Sequence, residues 1–191
     1  MALQLAYQYP ERVDRLVLVA PGGFGRDVTV LLRAASLPGA GPVLALAASR
    51  PVVEAGTLLA GALGRVGVRG STDLEEPGRA YALLADRASR RAFIHTLRSV
   101  VDHDGQRVSA LDRVDVIKEF PSLIVWGERD RILPAHQGER IHRQVPHTQL
   151  SIFKRAGHFP HRDDPARFIR TLDSFVTRRA LPDAQPAASR A

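Results

Sequence analysis

Ser122-Leu-Ile-Val-Trp-Gly-Glu-Arg-Asp130-Arg-Ile-Leu-Pro134, followed by Gln149-Leu-Ser-Ile-Phe-Lys-Arg-Ala-Gly-His158-Phe-Pro160, decides the fold. Each half opens on an apolar, β-branched run of strand length and closes on a glycine or proline turn. Each then delivers one ionisable side chain just past its strand, a carboxylate in the first case and an imidazole in the second. An acid and a base placed this way suit proton transfer at one rim of a parallel sheet.

A third run of the same kind lies near the N-terminus. Val13 to Ala20 is closed by Pro21-Gly22-Gly23, which fits a strand buried on both faces. Before it, Leu3, Ala6 and Tyr7 recur at helical spacing until Pro10 ends the run. A helix feeding straight into a buried strand is half of a βαβ unit, so its first strand is expected before Met1.

Between Phe24 and about Asp115 the pattern changes to short Ala/Leu-rich helical segments. Pro38-Gly39, Gly41-Pro42, Pro51, Gly67 to Gly70 and Pro77-Gly78 separate them. The best-formed runs from Arg79 to Val101, with Leu83, Leu84, Ala88, Ala92, Ile94 and Leu97 as its apolar face. The block reads as a helical insertion between two strands of one sheet. Past Trp126 the spacing predicts a helix over Ala135 to Gln144, a last strand over Gln149 to Phe153, and a closing helix starting at Asp164-Pro165. That helix has an N-cap, proline at its first position, and Phe168, Leu172, Phe175 and Val176 on one stripe. Residues 180–191 are rich in Pro and Ala and read as a disordered tail.

Composition narrows the class. The chain has 191 residues, 45% of them hydrophobic, enough for one ordinary core. It contains no cysteine, which excludes disulfides and thiolate metal sites and favours a reducing, cytoplasmic setting. No basic region leading into an apolar stretch opens the sequence, so a secretory signal is not expected. The greasiest region, Gly41 to Gly64, is broken by Arg50, Pro51 and Glu54 and so argues against a membrane span. A net charge of +7 raises nucleic acid as a partner. The arginines are dispersed among acids and not interleaved with aromatics, so neither a nucleic-acid nor a membrane partner is expected.

Taken in order, strand, helical insertion, strand, acid, helix, strand, histidine and helix resemble the C-terminal half of the α/β-hydrolase fold. Trp126 to Pro134, Gly157-His158-Phe159-Pro160 and Tyr9 to Leu18 carry the resemblance. It implies an α/β architecture, a partial hydrolase sheet of about three parallel strands. Residues 1–23 and 116–179 would form the core and 24–115 a lid. It also implies Asp130 as the triad acid and His158 as the general base, with a small-molecule substrate and neither cofactor nor metal. Asp130 would accept the Nδ1 proton, fix the ring tautomer and stabilise the imidazolium. Glu128 and Asp115 compete for the acid's role, and a plain turn residue is the other reading of Asp130.

Gly157 is expected to let the histidine loop bend, and Phe159-Pro160 to stiffen it and shield the ring. A core or surface histidine is the alternative for His158. His161 with Asp163 and Asp164 suits capping and turn roles better than a metal. His95, His103, His136, His142 and His147 read as surface or insertion positions, with His103, between Asp102 and Asp104, the one suited to a pocket contact.

One part of the family pattern is missing. The nucleophile elbow, Gly-x-Ser-x-Gly or an equivalent, should stand just before the first helix, a few residues upstream of Met1, and no such motif occurs in these residues. Ser122 and Ser151 lack the flanking glycines and fall within strands. The oxyanion donors would be missing with the elbow. The chain alone is therefore expected to be catalytically incompetent, and its outer strand edge, Leu16 to Ala20, is expected to self-associate. Met1 stands where the family commonly has a small aliphatic residue, so a valine GTG codon read as a start would explain it. The DNA upstream tests this: an in-frame stop codon with no elbow encoded before it would refute it.

Overall fold

The computed structural model describes residues 2–65, 84–111 and 114–177. Helix α1 (Ala2–Gln8) leads through a short 3₁₀ turn (Pro10–Arg12) into β1 (Leu16–Val19). Helices α2 (Val30–Ser36), α3 (Ala40–Ala47), α4 (Arg50–Arg65) and α5 (Arg87–Val100) follow. A hairpin of β2 (Val101–Asp102) and β3 (Gly105–Gln106) and a short α6 (Val114–Lys118) lead to β4 (Ser122–Gly127). The chain closes with α7 (His136–Gln144), β5 (Gln149–Phe153), α8 (Pro160–Asp163) and α9 (Pro165–Thr177).

The main sheet is parallel with strand order β1-β4-β5. Leu16 lies beside Ser122 and Val19 beside Val125, while Leu123 pairs with Gln149 and Gly127 with Phe153. Alternate residues of the central strand feed two cores. Ile124 and Trp126 pack with Leu16, Leu18, Phe24, Ile117 and Ile141 on one face. Leu123 and Val125 pack with Phe153 and Phe175 on the other. All six residues of β4 are buried, as a strand covered on both faces requires. Each large aliphatic or aromatic side chain removed from water here contributes about 1.5–3 kcal/mol.

Several sequence expectations need correction in detail. On the closing helix Phe168 and Leu172 are half-buried and Phe175 buried, but Val176 is 53% exposed. Tyr7 is likewise exposed, leaving Ala6 as the buried contact of α1. In α5, Ala88 and Ala92 face solvent. Leu97 instead joins Ala35 and Val101 in a small cluster, with Phe93 packed against it. Alanines present too little surface to decide which way a helix turns; the phenylalanine does. Residues Arg79 to Leu83, the breaks at Gly67 to Gly70 and Pro77-Gly78, and the tail at 180–191 lie outside the described residues.

The region from 24 to 115 is also not purely helical. The β2–β3 hairpin turns at Gly105, φ 127°, where an added Cβ would meet the Arg26 carbonyl oxygen at 1.9 Å. Only glycine allows that approach. Helix α5 is capped by Asp86, whose carboxylate accepts the Ser89 N–H at 2.7 Å. That bond, chiefly, holds the Asp86 carboxyl below its usual range. A depressed folded-state pKa means the cap stabilises α5 above the ordinary aspartate range and is lost as pH falls through the lowered value. Amide exchange at Ser89 is expected to accelerate over that acidic window, and Asp86→Asn to blunt the dependence.

Candidate active site

Parallel strands place the loops that follow them at one rim, and the loops after β1, β4 and β5 meet there. The loop after β4 carries Asp130, 8% exposed. Its Oδ1 accepts the backbone N–H groups of Ile132 and Leu133, both at 2.8 Å. Its Oδ2 lies 2.8 Å from His158 Nδ1. The carboxylate thus has three donors around it, which fixes its plane and aims one oxygen at the ring. The aspartate side chain is 0% exposed and the imidazole 20%, so the pair is shielded while the ring retains some access to solvent.

The loop reaches this position because of its small residues. An added Cβ on Gly127, at the end of β4, would lie 1.9 Å from the Gly157 carbonyl oxygen and 2.5 Å from that of Ala156. Arg129 N–H donates to the Ala156 carbonyl at 2.9 Å, stitching the acid's loop to the histidine's. The sharp bend expected at Gly157 falls instead on Arg155, with φ 71°. Gly157 serves through its backbone: its N–H donates to Asp163 Oδ2 at 2.7 Å. Phe159 stands edge-on to the imidazole, with ring centroids 5.0 Å apart, and buried Pro160 opens α8.

Trp126 braces the acid from below. It is fully buried and donates its indole N–H to the Leu133 carbonyl at 2.9 Å. Gly138 packs against the indole, where an added Cβ would be 2.7 Å from a ring carbon. On the third loop, Gly23 N–H donates to Gln106 Oε1 at 2.6 Å. Gln106 Nε2 also donates to the Asp27 carbonyl at 3.0 Å and to Gln137 Oε1 at 3.2 Å. Fully buried Gln137 donates to the same Asp27 carbonyl at 2.7 Å. This amide clamp ties the β2–β3 hairpin to the rim. Isolated glutamines carry no pattern that betrays such a role, and sequence reasoning missed both.

The other sequence candidates lie apart from the pair. Glu128 is exposed, and Asp115 is exposed and bonded to Lys118. Ser122 is buried and donates to the Phe120 carbonyl at 2.9 Å, while Ser151 sits within β5. His103, singled out for a pocket contact, is 73% exposed at the hairpin turn, 3.4 Å from Asp104. Asp102 and Asp104 there offset Arg26, at 3.9 and 3.7 Å. His136 pairs with Asp27 at 2.9 Å. Asp163 and Asp164 take turn and capping bonds, Asp164 Oδ1 accepting the Arg167 N–H at 3.0 Å.

Asp130→Asn keeps the shape and one acceptor but turns a donor toward either the backbone N–H groups or Nδ1. A loss of about 1–2 kcal/mol is expected, read as a lower urea midpoint at unchanged slope.

The family profile described as alpha/beta hydrolase fold matches residues 1–165, and the chain belongs to that family. Among its relatives is an uncharacterised protein of Mycobacterium tuberculosis, 39% identical over 195 residues, matching 100% of this chain and 57% of that protein. Another is a protein of Burkholderia vietnamiensis named 2-hydroxy-6-oxononadienedioate/2-hydroxy-6-oxononatrienedioate hydrolase. It is 31% identical over 184 residues, covering 93% of this chain and 58% of that one. A solved 2-hydroxy-6-oxo-6-phenylhexa-2,4-dienoate hydrolase from a Rhodococcus species superposes with a TM-score of 0.60 at 18% identity, over 91% of this chain and 59% of that chain. The chain spans under three-fifths of the length of these three proteins. Among the described residues no helix is long and apolar enough to cross a membrane.

Proposed function

We propose that this chain supplies the acid and base of an α/β-hydrolase site that cleaves an ester, or a C–C bond β to a carbonyl, in a small and largely apolar substrate. The observation that carries the reading is the 2.8 Å contact between Asp130 Oδ2 and His158 Nδ1. With Nδ1 committed to the carboxylate, Nε2 is the nitrogen that takes the proton from the attacking group and returns it to the leaving group. Asp130 stays ionised and stabilises the imidazolium between those two transfers. The attacking group and its oxyanion donors come from sequence outside these 191 residues.

The region from 24 to 115 acts as the lid in this reading. Apolar side chains of α2 and α3, Val30, Leu31, Val43 and Leu46 among them, are exposed. Thr29 at the head of α2 donates its N–H to the Ile132 carbonyl of the acid's loop at 3.0 Å. The exposed side chains offer greasy surface to the substrate in this reading. The Burkholderia relative's name, with its hydroxy and oxo groups, supports the C–C alternative for the bond cleaved.

The test joins the chain to the part of the Mycobacterium tuberculosis relative that lies outside the match. The chain alone is expected to hydrolyse p-nitrophenyl esters no faster than background, because each missing oxyanion donor is worth about 3 kcal/mol or more. The chimera is expected to turn them over. Turnover by the isolated chain that His158→Ala abolishes would overturn the incompetence, and an inert, folded chimera would count against the site.

A second reading, a non-catalytic binding module, rests on the edge of β1. Leu16 and Ala20 N–H groups donate to Pro121 and Val125 of the β4 side at 3.0 and 2.9 Å. Backbone groups alternate along a strand, so those of Val17 and Val19 face away from β4. Such an edge invites pairing with another chain. Concentration-dependent mass by light scattering, abolished by Val17→Pro, is its expected signature.

A further inference from the structure

The end of the sheet remote from Asp130 and His158 holds a separate groove of about 360 Å³. Its wall is α9, which contributes Arg167, Arg170 and Ser174, and its floor comes from the starts of the strands, Leu123 of β4 with Leu150 and Ser151 of β5. Parallel strands point these residues away from the rim where β4 and β5 end. The candidate active site therefore makes no use of this groove.

Its chemistry is one-sided. Two guanidinium groups and three hydroxyls, those of Ser151, Thr171 and Ser174, line it with the Gln149 amide, and among the described residues no acidic side chain does. Arg167 is held in place twice over, donating to the Ile152 carbonyl at 3.0 Å and lying 4.2 Å over the Phe153 ring. A guanidinium anchored in this way needs little further ordering to receive a ligand. Arg170, one helical turn on, is exposed, as is Ser174 a turn beyond that. Positions 167, 170 and 174 share a helix face, at spacings of three and four residues. Below them Leu123 is buried on the face of the sheet that α9 covers, with Gln149 and Ser151 on the same face of β5, so the floor sets one leucine among polar side chains while the wall is cationic.

We infer that this groove is a binding site for a small phosphate monoester, the dianion held by Arg167, Arg170 and the serine hydroxyls and the organic group lying over Leu123. Arginine is the residue suited to phosphate because its planar donors match two oxygens at once, and hydroxyls complete the shell. The volume admits a phosphate with one ring or a short chain attached. This inference does not depend on the role given to His158.

Phenyl phosphate is the probe, titrated by equilibrium dialysis against the 191-residue chain, with inorganic phosphate and phenol as separate arms. Saturable binding in the roughly millimolar range is expected for phenyl phosphate, weaker binding for inorganic phosphate and none for phenol. Arg170→Ala is expected to weaken binding about ten-fold and Ser151→Ala by a few-fold. Arg140→Ala, which removes an exposed arginine of α7, and His158→Ala are expected to leave it unchanged. Absence of saturable binding to the unaltered chain would overturn the inference. Equal losses in Arg170→Ala and Arg140→Ala would do so too, since they would mark a diffuse response to net charge.

Discussion

Replacing His158 by alanine in the chimera described above is expected to lower kcat by about 10⁴-fold or more while KM changes little. In the proposed function the imidazole acts in proton transfer and not in holding the substrate, so its loss should fall on the transition state. Asp130→Asn should cause a loss of comparable order by a different route, since an amide in that place no longer enforces the tautomer that Nδ1 adopts against a carboxylate. The two losses should not add, because both groups act through one ring. A double variant no worse than either single one is the expected result from burst and steady-state kinetics. A His158→Ala chimera retaining a tenth of its rate would end the assignment of this histidine as base.

Gly127→Ala is the expected structural counterpart. One methyl group there would be placed 1.9 Å from the Gly157 oxygen and 2.5 Å from the Ala156 oxygen. Both obstacles are backbone, so no side chain can rotate aside. Either β4 bends, which disturbs its register with β5, or the segment from Ala156 to His158 moves outward. A destabilisation of roughly 3 kcal/mol or more is expected, measured by urea unfolding. In the fraction that folds, the Asp130 to His158 hydrogen bond should be lost, seen as disappearance of a downfield Nδ1 proton resonance. Retention of that resonance at full stability would show that the loop has room the structure denies it. Gly157→Ala is the informative comparison: Gly157 is not among the residues with positive φ, so no left-handed penalty applies.

Much of the fold was legible in the sequence because its signals are local. The apolar runs at Val13 to Ala20, Ser122 to Trp126 and Gln149 to Phe153 became three parallel strands. The least interrupted of them, Ser122 to Trp126, is the central strand covered on both faces, while β1 and β5 at the edges are only partly buried. Asp164-Pro165 marked the start of α9 because capping is settled within one turn. What failed was finer. Val176 and Tyr7 are as apolar as their neighbours, and nothing within a helix says how wide its covered face will be. The hairpin at residues 101–106 escaped notice because two-residue strands leave no period to read.

The sequence alone determined the order of the three strands of the main sheet, the family pattern and the identities of the carboxylate and imidazole that stand past two strand ends. The tertiary structure decided which carboxylate meets the imidazole: Asp130, buried and bonded to it, and neither Glu128 nor Asp115, both exposed. It also decided that amide side chains at Gln106 and Gln137 clamp the hairpin to the rim, and that arginines and serines from α9 and β5 share a groove. The physical reason is common to all three. Hydrophobic periodicity fixes a segment's own shape through near neighbours in the chain, whereas these contacts join residues 28, 31 and 16 or more positions apart. Their meeting is set by how the sheet stacks its loops and by which backbone is small enough, as at Gly127, to let them close.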